Sequence, residues 1–138
     1  MPAPWPIEFT IAGTVAGQGS KRFVGVSNAG RGILIEQSTR VKPWRQAVVA
    51  AFKRLSVPMI KGAVEVEMTF SFARPKSAKR KYPSVAPDAD KCVRATSDAL
   101  TQAGAWEDDA RVVILSARKV YATDAFPPGA LIRLRPAP

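Results

Sequence analysis

The run Ala63–Ala73, AVEVEMTFSFA, constrains this chain most, because apolar and polar side chains alternate along it. Val64, Val66, Met68, Phe70 and Phe72 fall on one face of an extended backbone, and Glu65, Glu67, Thr69 and Ser71 on the other. A period of two describes a strand with one buried face, and that face needs a covering layer. Two segments of helical period can provide it. Over 39–56, Trp44, Ala47, Val48, Ala51, Phe52 and Leu55 recur at spacings of three and four. Pro43 sits in the first turn of that segment, where its missing N–H costs little. Over 89–103, Ala89, Cys92, Val93, Thr96, Ala99, Leu100 and Ala103 share one side, and Gly104 stands at the stop position.

Other strands are expected at 7–15, 111–121 and Ala130–Arg135, the last two joined through Pro127-Pro128-Gly129. Gly17–Arg22 reads as a basic loop. Phe23–Val26 and Ile33–Glu36 flank the Gly-rich stretch Asn28–Gly32 and read as a hairpin. The order strands, helix, strand, helix, strands describes an α+β fold: a mixed sheet with two main helices. The 138 residues form a single domain, 1–138, with no internal repeat.

Composition removes several chemistries. The chain has no His, so it has no Ser-His-Asp or Cys-His nucleophile pair and no imidazole base. One cysteine, Cys92, allows no intramolecular disulfide and no Cys/His zinc site; it reads as a small core residue. The apolar runs are too short to span a membrane, and MPAPWPIEF has neither the basic nor the apolar region of a secretory signal. A soluble, reduced, cytoplasmic setting is the expectation.

The net charge of +10 is unevenly placed. Residues 1–87 carry 14 basic and 4 acidic side chains, whereas 88–138 carry 7 of each. Six of the 11 acids fall within 88–109: Asp88, Asp90, Asp98, Glu107, Asp108 and Asp109. A basic body around a carboxylate cluster fits a protein that neutralises phosphates beside a cation-binding site. A basic protein with a solvated acidic face fits the same arithmetic.

Asp88 and Asp90 stand two residues apart at a helix entrance, where the helix dipole favours anions. Asp90, Arg94 and Asp98 follow at i, i+4 and i+8, on one helix face. A turn and an antiparallel return after that helix can bring Asp109 back beside Asp88 and Asp90. Carboxylates without His or Cys suit a hard, oxygen-liganded cation such as Mg²⁺. Read structurally instead, Asp90 is an N-cap and Asp108 and Asp109 begin a loop.

The stretch Pro87–Val113, PDADKCVRATSDALTQAGAWEDDARVV, resembles the RusA family of Holliday-junction resolvases of phages and prophages. The family pattern runs P-D-x-D-N-L-x-K, then D-A-L, then G-x-[WY]-x-D-D-x-Q-V. This chain offers Asp88-Ala89-Asp90, Arg94, Asp98-Ala99-Leu100, Gly104-Ala105-Trp106-Glu107-Asp108-Asp109 and Val112, with the spacing from first to last Asp kept. Gly13–Arg22 is similar to the family's basic loop.

The resemblance implies a Mg²⁺-dependent endodeoxyribonuclease, with Mn²⁺ as a substitute, that works as a homodimer on four-way DNA junctions. Paired symmetric nicks would leave ligatable 5′-phosphate ends. It places the metal-binding acids on Asp88, Asp90 and Asp109, and the essential basic residue, usually Lys, on Arg94. Asp108 is adjacent and can tune the site. Asp98 reads as structural, pairing with Arg94 or capping a loop. The chain departs from the pattern at Lys91 for Asn, Cys92 for Leu, Arg94 for Lys and Arg111 for Gln. Arg does not deprotonate near neutrality, so Arg94 can stabilise charge but cannot shuttle a proton.

Lys76, Lys79, Arg80 and Lys81 precede the acidic pair in a Pro-flanked loop and, with Lys21, Arg22 and Lys91, are the candidate DNA contacts. Trp44 and Trp106 read as core, Phe23 as the aromatic to test as a wedge between bases. Lys42, Arg45, Lys53 and Arg54 line the outer face of the first helix, and Arg133 and Arg135 a solvated strand edge. Two alternatives stay open: a non-catalytic basic nucleic-acid-binding protein, and a nuclease for other branched DNA.

Overall fold

The computed structural model describes residues 4–18, 21–26, 32–36 and 39–138, with the backbone alone in the two short segments 21–26 and 32–36. The elements are β1 (Ile7–Ala12), β2 (Lys21–Val26), β3 (Gly32–Glu36), α1 (Val41–Lys53), β4 (Val64–Phe72), α2 (Ala89–Ala103), β5 (Val112–Tyr121) and β6 (Gly129–Pro136). A 3₁₀ turn, Asp109–Arg111, leads into β5. The main sheet has the order β1-β6-β4-β5. β6 pairs antiparallel with β1 and β4, whereas β5 is parallel to β4. A parallel pair needs a crossover, and the segment carrying α2 is that crossover.

The alternation in β4 does what its period predicts as far as Phe70; beyond it Ser71 is buried, bonding Pro127 O and Gly129 O, and Phe72 is only partly so. Val64, Val66, Met68 and Phe70 are fully buried, together with Ile132 and Leu134 of β6. Over them lie Trp44, Val48, Ala51 and Phe52 of α1 and Cys92, Ala95, Thr96, Ala99 and Leu100 of α2. Both core tryptophans are sealed, and the Trp44 indole N–H donates to Thr96 Oγ1 at 3.1 Å. Thr96 therefore sits in an apolar layer with its hydroxyl paired, which removes most of the cost of burying it.

Backbone geometry explains where elements stop. Strand β1 was expected to reach residue 15 but ends at Ala12, because Gly13 turns the chain at φ +147° and its N–H bonds Pro128 O at 3.2 Å. Val15 and Ala16 are nevertheless buried, as loop residues. Helix α2 ends on Gly104, whose left-handed φ of 91° turns the chain so that the Ala105 N–H reaches back to Leu100 O at 2.9 Å.

The hairpin forms as a separate two-stranded sheet of β2 and β3. Lys21 and Arg22 lie in β2, not in the basic loop expected there. Gly19–Ser20 of that loop and Asn28–Arg31 of the hairpin connection lie outside the described residues. Strand β6 is central rather than an edge, which corrects the placement of Arg133 and Arg135. Arg135 makes two bonds to Glu65 on the neighbouring strand, at 2.8 and 3.1 Å. The edges are β1 and β5. No helix among the described residues is long and apolar enough to cross a membrane.

Candidate functional site

Helix α2 carries most of the acids. Asp88 occupies the N-cap position with extended backbone, yet its side chain makes no capping hydrogen bond. It is exposed and faces Lys91 Nζ at 3.4 Å. Asp90 is exposed in the first turn, inside the helix rather than ahead of it. Arg94, one turn on, is also exposed, and no ion pair joins it to another described residue. The loop after β1 packs on this end. Gln18 N–H donates to Lys91 O at 3.0 Å, and a Cβ on Gly17 would stand 3.0 Å from Lys91 Cβ. Gly17 is thus the residue that lets two backbones approach.

Asp98 was expected to pair with Arg94 or to cap a loop. It does hold the loop, but through Gln18, whose amide nitrogen donates to Asp98 Oδ2. The Gln18 oxygen accepts from Arg45 Nη1 at 3.3 Å, so Arg45 is half-buried and turned inward rather than lining the outer face. Lys42, Lys53 and Arg54 are exposed as expected. Asp98 also hydrogen-bonds Asp109. Burial first, and then Asp109, push the Asp98 carboxyl above the ordinary range. Burial also works to raise Asp109, but hydrogen bonds from Thr101, Asp98 and Trp106 outweigh it and hold Asp109 below the ordinary value. As pH falls, the first proton this pair takes up therefore goes to Asp98.

Asp109 is fixed by α2 and the turn behind it. Thr101 Oγ1 donates to Asp109 Oδ1 and accepts from the Trp106 indole N–H at 2.7 Å; the same N–H lies 3.3 Å from Asp109 Oδ1. Asp108 caps the 3₁₀ turn, accepting from Ala110 N–H at 2.7 Å. Glu107 pairs with Arg111 at 3.1 Å.

Asp88 and Asp90 thus stand at the start of α2, and Asp109 stands beside Asp98 and Thr101. Eight residues of helix separate Asp90 from Asp98, ~12 Å along the axis. Among the described residues no group of three or more His, Cys, Asp or Glu is placed to hold a metal ion. The expected return of Asp109 to Asp88 and Asp90 is not made within the chain. Strand β5 does return toward the start of α2, but Asp109 lies at its beginning. The side chain that arrives there is Lys119, which donates to Val85 O at 2.6 Å and Pro87 O at 2.7 Å.

The basic loop is anchored at Arg74. Its guanidinium donates to Arg80 O at 2.8 Å and stacks 4.2 Å over the Tyr121 ring. Lys76, Lys79, Arg80 and Lys81 are exposed around it. The side chains of Lys21, Arg22 and Phe23 lie outside the described residues. Cys92 is fully buried, and burial pushes its thiol up to about 11, so it is no nucleophile at neutral pH. Gln18, Thr101 and Lys119 are the polar residues of this region that sequence reasoning passed over, and Arg45 is one it set on the outer face of α1. The partners of Gln18, Arg45 and Lys119 lie 27 to 80 positions away, where no local spacing announces them, whereas those of Thr101 are within eight.

No curated protein matches the chain at a significant level. The family described as endodeoxyribonuclease RusA, which acts on Holliday junctions, matches residues 13–135. That span runs from the turn after β1 into the last strand and takes in both acid-bearing segments, so this chain belongs to the RusA endodeoxyribonuclease family.

Proposed function

We propose that this chain is a Mg²⁺-dependent, structure-selective endodeoxyribonuclease that works as a homodimer and resolves four-way junctions by paired symmetric nicks, in recombination, repair or phage DNA processing. One observation carries the site assignment. Asp88 holds the N-cap position without capping, so its carboxylate is not spent on the helix. Asp90 and Arg94 are exposed beside it.

The donor set is all carboxylate oxygen, which fits a hard cation in kind; Mg²⁺ takes one or two carboxylates and completes its shell with water and phosphate. In position, one chain offers two pairs, Asp88 with Asp90 and Asp98 with Asp109, rather than the triad. Two chains docked antiparallel would bring the Asp109 of one toward the Asp88 and Asp90 of the other. A bound Mg²⁺ would polarise the phosphodiester and lower the pKa of its water. Arg94 supplies a fixed positive charge for the non-bridging oxygens and moves no proton. Lys76, Lys79, Arg80, Lys81 and Lys91, with Lys21 and Arg22, hold the junction arms by phosphate contacts.

The test is nicking of a synthetic four-way junction. Asp88→Asn or Asp90→Asn abolishes cleavage and keeps or strengthens binding, because a negative charge leaves the DNA face. Normal cutting by either variant refutes the assignment. Rates on junction, fork, flap and linear duplex separate junction resolution from action on other branched DNA. The dispersed acids of the single chain favour one rival, a non-catalytic nucleic-acid binder. No cleavage by wild-type dimer with either Mg²⁺ or Mn²⁺ would establish it.

A further inference from the structure

Strand β5 carries a charge on its helix-facing side. In the parallel pairing with β4, Val66 is matched with Leu115, Met68 with Ala117, Phe70 with Lys119 and Phe72 with Tyr121. Residues paired across a ladder point to the same side of the sheet, and Val66, Met68 and Phe70 are fully buried beneath the helices. Lys119 therefore projects on the helix side, half-buried, with its ammonium 5.6 Å from the centroid of the Phe72 ring. A charge drawn toward an apolar layer costs free energy unless it is hydrogen-bonded. Lys119 offsets that cost by donating to Val85 O at 2.6 Å and to Pro87 O at 2.7 Å, both charge-assisted bonds.

Those two carbonyls lie on the approach to Asp88. Val85–Pro87 belongs to neither helix nor strand, so no ladder or helical turn supplies donors for it. The loop's own backbone bond, from Ser84 N–H to Tyr82 O at 2.8 Å, does not leave it. Pro87 O belongs to the peptide unit whose nitrogen is that of Asp88. Asp88 O in turn accepts from the N–H groups of Lys91 and Cys92 at 3.1 Å each, the first bonds of α2. Gly17 packs against the same segment, where a Cβ would stand 3.3 Å from Pro87 Cβ. The approach to Asp88 is thus held from two elements, by packing from the loop after β1 and by an ammonium from β5. Asp88 does not fix itself: it makes no capping bond, and its pairing with Lys91 at 3.4 Å is largely exposed and therefore weak.

We infer that Lys119 is a positioning residue for the acid pair: its ammonium, bonded to both carbonyls, sets the place of Asp88, and through the first turn of α2 that of Asp90, for a divalent cation. The role rests on the preceding reading only for the presence of that cation. Groups that orient a metal ligand from behind are worth roughly 10–100-fold in metal affinity. Lys119 exerts this effect against an electrostatic handicap, since a positive charge beside a cation site repels the cation. The two effects have opposite signs. Positioning tightens metal binding, whereas charge alone weakens it, so removing the ammonium tells them apart.

The test is Mn²⁺ binding to the purified chain, followed by the electron paramagnetic resonance of free Mn²⁺. Lys119→Met keeps the stem and removes the ammonium; it weakens Mn²⁺ binding by roughly tenfold or more. The Mg²⁺ concentration for half-maximal nicking rises by a like factor, while the rate at saturating Mg²⁺ changes little. Lys119→Cys behaves in the same way. Treating it with 2-bromoethylamine, which turns the introduced thiol into an aminoethyl thioether of lysine's length, restores binding. Iodoacetamide, which leaves a neutral amide, does not. Cys92 is fully buried and is spared under native conditions. Both alkylated forms come from one folded batch, so the comparison stands even where Lys119→Met fails to fold. Unchanged or tighter Mn²⁺ binding by folded Lys119→Met, or equal binding by the two alkylated forms, overturns the role. Asp88→Asn separates it from the metal reading: where that variant loses Mn²⁺ and Lys119→Met does not, the positioning role alone falls. A wild type that binds no Mn²⁺ overturns both.

Discussion

Replacing Thr101 by Val tests the knot that holds Asp109. The two side chains have nearly the same shape and similar helix propensity, so the change removes one hydroxyl and little else. That hydroxyl accepts from the Trp106 indole N–H at 2.7 Å and donates to Asp109 Oδ1, with Ser97 O also in reach at 3.0 Å. Trp106 is fully buried, so without Thr101 its N–H keeps only the 3.3 Å contact to Asp109. A hydrogen bond to a charged group is worth about 1.5–3 kcal/mol net, and a buried donor left poorly paired costs about 1–3 kcal/mol. With the longer contact retained, ~2 kcal/mol is the expected loss. A chain this long unfolds with an entropy near ~0.3 kcal/mol per kelvin, so Tm falls by ~7 °C. Thr101→Ser, which keeps the oxygen, loses less than half of that.

The pH dependence follows from the direction of the Asp109 shift. Burial raises that carboxyl, the Thr101 hydroxyl and its other partners outweigh burial, and the folded pKa lies below the unfolded one. Such a group contributes stability above its unfolded pKa of about 4 and loses it as pH falls through the folded value. The gap between wild type and Thr101→Val therefore narrows below about pH 4. The measurement is thermal unfolding at several pH values. A Val variant within about 1 °C of wild type at pH 7 would refute the argument that this hydroxyl ties the site together.

Gly129→Ala meets Ile11 O at 1.9 Å in a backbone held at φ +149°, so the β1–β6 pairing opens at a cost of about 3 kcal/mol or more, read by chemical denaturation. Glu65 is held below its ordinary pKa chiefly by the Arg135 hydrogen bonds, so Glu65→Gln lowers Tm at pH 7 and the difference vanishes as pH falls through the folded value of Glu65; an unchanged difference at pH 2 counts against the pair. Lys79→Ala weakens binding to junction and duplex alike and reduces the salt slope of binding by about 0.9, measured by titration at several salt concentrations.

The elements were legible because each is local. The alternation at 63–73 and the three-and-four spacing at 89–103 name β4 and α2 without help from the rest of the chain, and Gly104 marks the helix end to the residue. Trp44 and Trp106 belong to the core because large indoles on apolar faces have nowhere else to go. The acidic residues of the candidate site and the family were likewise readable, since their spacing is a property of the primary order. Local pattern could not show that β6 inserts between β1 and β4, which turns Arg133 and Arg135 from edge residues into central ones. Nor could it show that Gln18 reaches Asp98 across 80 positions.

The order of residues by itself determined which acids exist, how they are spaced and which periods make strand or helix. Tertiary structure decided where those acids stand. A helix advances 1.5 Å per residue, so acids at its two ends stay apart however suggestive their spacing. The strand that returns beside α2 starts at Asp109 and ends at Lys119, and chain direction therefore delivers a lysine, not the third aspartate, to the helix entrance. Which edge of the sheet lies bare is settled by the pairing order of the strands, a long-range property that no single segment carries.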